Sequence, residues 1–170
     1  MRKVKLFIAT TLDGYIAGLN GEIDWLFDDA DYGYKEFYAS IDTMLMGNST
    51  YKQVLTFGEF PHNDKENFVF TRNINQKNDK NVTYISKDIG AFVADLKMKS
   101  GKDIWLVGGG EINSILLSED LIDEMIISIH PILLGAGIPL FKGPIEIKRF
   151  KLIEYKTFPS GLTQVTYAKI

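Results

Sequence analysis

Cysteine is absent from all 170 residues. That removes disulfides, thiolate nucleophiles and thiolate-bound metal, and it suits a reducing compartment, so the cytoplasm is the expected location. Histidine is nearly as scarce: His62 and His130 are the only two. Neither has a partner at metal-ligand spacing, so no metal site is expected and His130, ahead of Pro131, reads as structural. Long apolar runs are missing too, and the apolar stretch of MRKVKLFIATTLDG is too brief for a signal core and leads straight into a turn. No membrane partner is expected. Nor is positive charge in excess: 19 Lys and Arg against 22 Asp and Glu give a formal net charge of −3, which leaves no basic footprint for nucleic acid. No Walker A lysine follows a glycine run and there is no G-x-S-x-G elbow, which sets aside P-loop and hydrolase chemistry. With no internal repeat and no linker, residues 1–170 read as one domain.

What remains is ample for a core, since 45% of the residues are hydrophobic and 24% charged. Val4–Thr10 is apolar and β-prone, and ends at the turn signals Asp13-Gly14 and, after Tyr15-Ile16-Ala17, Asn20-Gly21. Tyr34, Phe37 and Tyr38 at helical spacing predict a helix over Ala30–Ser40 with an aromatic face. Thr43–Met46 predicts a strand closed by Gly47, and Asn48-Ser49-Thr50 offers capping chemistry to a helix running to about Thr56. Strands are expected over Asn67–Thr71 and Val82–Ser86, a helix over Ile89–Lys99, then strands over Ile104–Val107 and Met125–Ile129. This alternation predicts an α/β domain of βαβ crossovers, with helices on both faces of a mostly parallel sheet. Phe150–Thr157 and Thr163–Ile170 flank Pro159-Ser160-Gly161, an antiparallel hairpin closing the chain.

Glycine is concentrated at two strand-to-helix junctions. In IWLVGGGEINSILL, Gly108-Gly109-Gly110 supplies G-x-G, but the third glycine of a dinucleotide fingerprint falls on Asn113. A partial pattern still has a physical use: bare backbone admits a phosphate, and the following helix aims unpaired N–H groups at it. LMGNSTY repeats the design at Gly47, with the Ser49 and Thr50 hydroxyls in the first turn. In an open parallel sheet both junctions lie beyond the carboxyl ends of strands, placed to hold the two sides of one diphosphate. Arg72, directly after FVFT, is the best cation for a phosphate at that edge, and Lys87 a weaker one. Carboxylates gather in GEIDWLFDDADYGYKEF, where they suit a helix N-terminus and offer a group to grip a heterocycle or support protonation.

The segments ATTLDGYIAG, MLMGNSTY, FVFTR, IWLVGGGEIN and HPILLGAGIPLF occur in an order that resembles the dihydrofolate reductase superfamily, closest to the branch related to the C-terminal reductase domain of riboflavin biosynthesis. The resemblance runs from Lys5 to about Gly143. It implies a dihydrofolate-reductase-like three-layer α/β/α fold, a mostly parallel sheet with an antiparallel C-terminal hairpin, NADPH as hydride donor, and a homodimer. Residue by residue it implies that Val107, Gly108, Gly109, Gly110, Glu111 and Ile112 meet the cofactor diphosphate, with a strained peptide at Gly108-Gly109. Gly47, Asn48, Ser49 and Thr50 then meet its other side, Thr71 and Arg72 lie near the adenosine phosphate, and Ala9, Ile16 and Ala17 hold the nicotinamide. Asp13 sits in the Asp-Gly turn of the riboflavin-type branch. Asn48 stands where the superfamily often has arginine, so NADPH preference rests on Arg72. Counting from Trp25, Asp31 matches the substrate-gripping carboxylate with a one-residue insertion, with Asp28 and Asp29 as alternatives. The implied activity is hydride transfer to a small pyrimidine, pterin or related substrate, phosphorylated or not. An aminopyrimidine reductase of riboflavin type, acting on 5-amino-6-(5-phosphoribosylamino)uracil, comes ahead of dihydrofolate reductase proper. The rival is a non-catalytic nucleotide- or flavin-binding module.

Overall fold

The computed structural model describes residues 1–170. Its elements in chain order are β1 (Val4–Thr11), β2 (Tyr15–Ala17), α1 (Tyr34–Ser40), β3 (Ile41–Gly47), α2 (Asn48–Thr56), β4 (Glu66–Phe70) and β5 (Thr83–Ile85), followed by α3 (Ile89–Met98), β6 (Asp103–Gly108), α4 (Gly110–Ser118), β7 (Glu124–His130), β8 (Ile138–Pro139), β9 (Phe150–Thr157) and β10 (Thr163–Lys169). Eight strands form one sheet in the order β5-β4-β3-β6-β1-β7-β10-β9. Every neighbouring pair from β5 to β7 is parallel, and only β10 runs antiparallel to its two neighbours. The alternation of strand and helix along the sequence therefore gives the mixed sheet it predicts.

Strand alternation sorts the apolar residues onto two faces. Leu6, Leu45, Phe70, Ile104 and Leu106 pack with Val93 and Leu96 of α3 and Ile112 and Leu116 of α4. Met44, Met46, Val69 and Trp105 point the other way and are covered by Phe37 of α1 and Tyr51 of α2. Three layers follow. Each fully buried Leu or Ile contributes about 1.5–3 kcal/mol relative to exposure. Phe7 stacks on Phe37 at 4.3 Å between ring centroids, and Tyr34, Phe37 and Tyr38 all present edges or tilted faces to Trp105. None of the helices is long and apolar enough to cross a membrane.

Two local features differ from the sequence expectation. The helix expected over Ala30–Ser40 begins only at Tyr34. Gly33 (φ 81°) and Tyr32 (φ 51°) lie in the left-handed region, which cannot continue a helix, so only the aromatic half of the segment is helical. The second is a small sheet of its own, β2 against β8. Ile138–Pro139 gave no strand signal because its partner lies more than a hundred residues upstream and the pairing is purely tertiary. Gly137 permits it, since a Cβ there would collide with the Ala17 carbonyl oxygen.

Candidate functional site

β1 pairs with β6 only through Val4, Leu6 and the residue between them, whereas its pairing with β7 continues to Thr11 and His130. Beyond Leu6 and Leu106 the two strands therefore part, and a crevice opens between them at the carboxyl edge. Such a parting of parallel strands is where open α/β sheets take ligands.

The two glycine junctions stand beside this crevice on adjacent strands, with Met46 of β3 opposite Gly108 of β6. A Cβ placed on Gly47 would lie 3.9 Å from both the Gly108 oxygen and the Gly109 nitrogen and 3.3 Å from Ile112 Cγ1. One placed on Gly109 would point between Thr50 Oγ1 at 3.5 Å and Ile16 Cδ1 at 3.8 Å. The turns thus face one another across a notch that a side chain would begin to fill. The Gly108-Gly109 peptide is cis and Gly108 has φ 111°, open to glycine alone at little cost. Neither α2, capped by Gly47, nor α4, capped by Gly109, has a side-chain cap. Their first-turn N–H groups are consequently free to meet an anion. Asn48, Ser49 and Thr50 follow as the first residues of α2, so capping falls to Gly47 backbone and not to their side chains.

Farther along the same edge, Arg72 leaves β4 and forms an exposed ion pair with Glu111 in the first turn of α4, while Thr71 is buried and accepts from Asn73 N at 3.2 Å. On the opposite side, Ala9 lies on β1 against Ser128, and Ala17 is held in the β2–β8 pair. The fold therefore gathers Ile16, Gly47, Thr50, Gly108, Gly109 and Ile112 at one notch, with Val107 leading into it. Glu111, Thr71 and Arg72 form a second group on one flank, and Ala9 and Ala17 stand on the other.

The carboxylates behave differently. Asp13 accepts from Thr11 Oγ1 at 2.6 Å, Gly135 N at 2.7 Å and Leu134 N at 3.3 Å. The Thr11 hydrogen bond foremost, then those backbone N–H groups, hold its pKa below the usual carboxylate value. Asp13 thus pins the loop after β7. Asp31 accepts from Lys35 N and so caps α1. Asp28 and Asp31 are both exposed.

Sequence reasoning missed a buried polar set that locks the acidic loop onto the sheet. Gln164 Nε2 donates to Tyr32 O at 3.0 Å and to Ser128 Oγ at 2.9 Å. His130 Nε2 accepts from Phe27 N at 3.2 Å, which assigns the ring proton to Nδ1, facing Ser128 O at 3.2 Å. Burial lowers the His130 pKa, so the ring is neutral at physiological pH. Trp25 and Phe27 set edges against it, and Trp25 Nε1 is buried without a partner. The available signal was alternation: Ser128, His130, Gln164 and Thr166 are polar residues at inward positions of otherwise apolar strands.

Comparison with known proteins agrees with this fold. The chain is 44% identical to the uncharacterized protein YwjB of Bacillus subtilis (strain 168), over 99% of this chain and 98% of that one. Its structure is similar to that of a putative riboflavin biosynthesis protein from Shewanella sp. PV-4, with a TM-score of 0.87, 34% identity and 99% of each chain covered. Dihydrofolate reductase from Enterococcus faecalis, complexed with NADP(H) and RAB-propyl, shares the fold at a TM-score of 0.72 and 14% identity, over 98% of this chain and 95% of that one. The profile of the RibD C-terminal domain matches residues 2–164, and the chain belongs to that family.

Proposed function

We propose that the protein is an NADPH-dependent reductase that transfers hydride to a ring of pyrimidine or pterin type. The observation that carries this reading is the pairing of two uncapped glycine junctions on adjacent parallel strands, Gly47 and Gly108-Gly109, across a notch that a Cβ would enter. A diphosphate suits that notch, because free N–H groups of α2 and α4 converge on it from both sides. Family membership and the NADP(H) named for the enterococcal enzyme of the same fold also support it.

In this reading Gly47–Thr50 and Val107–Ile112 hold the diphosphate, Thr71 and Arg72 attend the adenosine phosphate, and Ala9, Ile16 and Ala17 orient the nicotinamide. The bound cofactor supplies hydride from C4. The protein supplies position and a crevice between β1 and β6 that limits water. Asp28 and Asp31 on the exposed rim relay the accompanying proton through solvent. Asp13 is engaged in the loop and takes no part in the transfer.

Titration of the protein with NADPH, followed by nicotinamide fluorescence, tests the cofactor site. Gly109→Val should weaken binding at least about tenfold while the far-ultraviolet circular dichroism is retained, since a Cβ at this position meets only ordinary contacts and the backbone is extended. Unchanged affinity in that variant would sink the assignment. Oxidation of NADPH with dihydrofolate or aminopyrimidines then separates an enzyme from a binding module, which would bind without turnover.

A further inference from the structure

We propose that two copies of the chain pair antiparallel through β9, about a two-fold axis at Tyr155, joining two eight-stranded sheets into one. The sheet has two free edges, and they are not alike. β5 is three residues long, whereas β9 runs for eight, Phe150–Thr157, without a proline. Every residue of β9 except Phe150 is exposed, so the chain itself covers neither its outer edge nor its faces. Among them Leu152, Ile153 and Tyr155 are 46, 50 and 70% exposed. A long apolar edge of this kind offers unpaired N–H and C=O groups to another strand.

Self-complementarity selects a second copy as that strand, since a two-fold interface sets the same patch against itself. Phe158 N donates to Leu162 O, and Lys156 and Glu154 stand opposite Gln164 and Thr166 of β10. By the alternation of an antiparallel ladder these residues turn their backbone groups inward, and Tyr155 and Thr157 turn theirs outward. Antiparallel strands match outward residue to outward residue, so the axis passes through a residue and not between two. An axis at Glu154 or Lys156 would set like charges face to face. At Tyr155 it sets each Glu154 opposite Lys156 of the other copy, and each Tyr155 N–H donates to the other's carbonyl oxygen. The two rings then meet on the face that carries Val165 and Ile127, both half-buried. Glu154 and Lys156 lie 3.3 Å apart within one chain, so pairing gathers four alternating charges on the opposite face. Edge lysines deter indiscriminate pairing; beside Glu154, Lys156 selects one register. The bulge leaves Ile153 without a partner in β10 and confines the seam to the regular half of the strand. Such a seam is much smaller than a standard interface of about 20–30 residues a side, so the dimer dissociates at a concentration on the order of 10–100 µM.

Sedimentation velocity from about 1 µM to about 1 mM tests this, with circular dichroism and urea unfolding confirming that each variant is folded. The wild-type protein should pass from monomer to dimer across that range. Glu154→Lys and Lys156→Glu, each alone, set like charges opposite twice and should raise the midpoint at least about tenfold. Glu154→Lys/Lys156→Glu in one chain restores unlike pairs and should return the midpoint to the wild-type value. An equimolar mixture of the two single variants should also dimerise at the wild-type midpoint, because each then supplies the charge the other lacks. Wild-type protein that stays monomeric at about 1 mM overturns the proposal. So does a dimer whose midpoint neither single variant moves, or a loss that neither the double exchange nor the mixture repairs.

Discussion

At the amino edge of the sheet charged side chains tie strand to strand, whereas at the carboxyl edge the chain turns on bare backbone. Arg2 is 6% exposed and pairs with Asp42 and Thr43 of β3. Lys5 of β1 pairs with Asp103 of β6 at 2.8 Å, and Lys3 with Glu124 of β7 at 2.5 Å. Lys97 of α3 reaches Asp123 at 2.7 Å, and that carboxylate also accepts Val4 N at 2.7 Å. Toward the opposite edge the ion pairs are Arg72 with Glu111 and Lys156 with Glu154 at 3.3 Å, and both are exposed. The sheet is thus anchored where it begins and left open where it ends, which keeps the stabilising contacts away from the atoms a ligand would touch.

The sharpest way to break this contrast is Asp123→Ala. It strands the buried Lys97 ammonium and the Val4 N–H together, so a loss of about 3–5 kcal/mol is expected in urea unfolding, with NADPH affinity of the folded fraction unchanged. A loss under about 1 kcal/mol would show that the amino edge is not the anchor. Gly110→Ala comes next. Its Cβ would collide with the Pro139 carbonyl oxygen, so a cost of about 1–3 kcal/mol is expected, and hydrogen exchange should rise in β8 and not at the amino edge.

The smallest effect belongs to the Lys5–Asp103 pair. Burial pushes the Asp103 carboxyl upward, but hydrogen bonds and positive charge from Lys5 and Lys3 outweigh it and leave the pKa below 3.8. A depressed folded-state pKa means that the contribution is present above pH 3.8 and is lost as pH falls through the lower folded value. Asp103→Asn should therefore cost about 1 kcal/mol or less at neutral pH and flatten the acid limb of the stability profile. An unaltered acid limb would assign that limb to other carboxylates.

Much of the carboxyl edge was legible because glycine and strand chemistry are local. Gly47 and Gly108-Gly109 punctuate the sequence at strand ends, and the apolar runs Val4–Thr10 and Ile104–Val107 marked β1 and β6 as strands before their partners were known. The acidic loop was less legible. Nothing local distinguishes Asp13, which pins Gly135, from Asp31, which caps α1, because each role depends on a partner the chain supplies only on folding. Ser128 and Gln164 escaped for the same reason: one hydrogen bond between strands far apart in sequence makes them a unit. The left-handed backbone at Tyr32 and Gly33, which delays the start of α1 to Tyr34, lies beside another such contact, Gln164 Nε2 donating to Tyr32 O at 3.0 Å.

The pairing of β2 with β8, reinforced by Asp13 on Gly135 and by Leu140 N on Gly14 O at 2.9 Å, has a consequence for engineering. Segments more than a hundred residues apart form a single two-stranded plate. A graft that exchanges only residues 12–20 with a relative leaves that plate mismatched along its seam, while exchanging residues 131–141 in the same step carries both halves of the joint together.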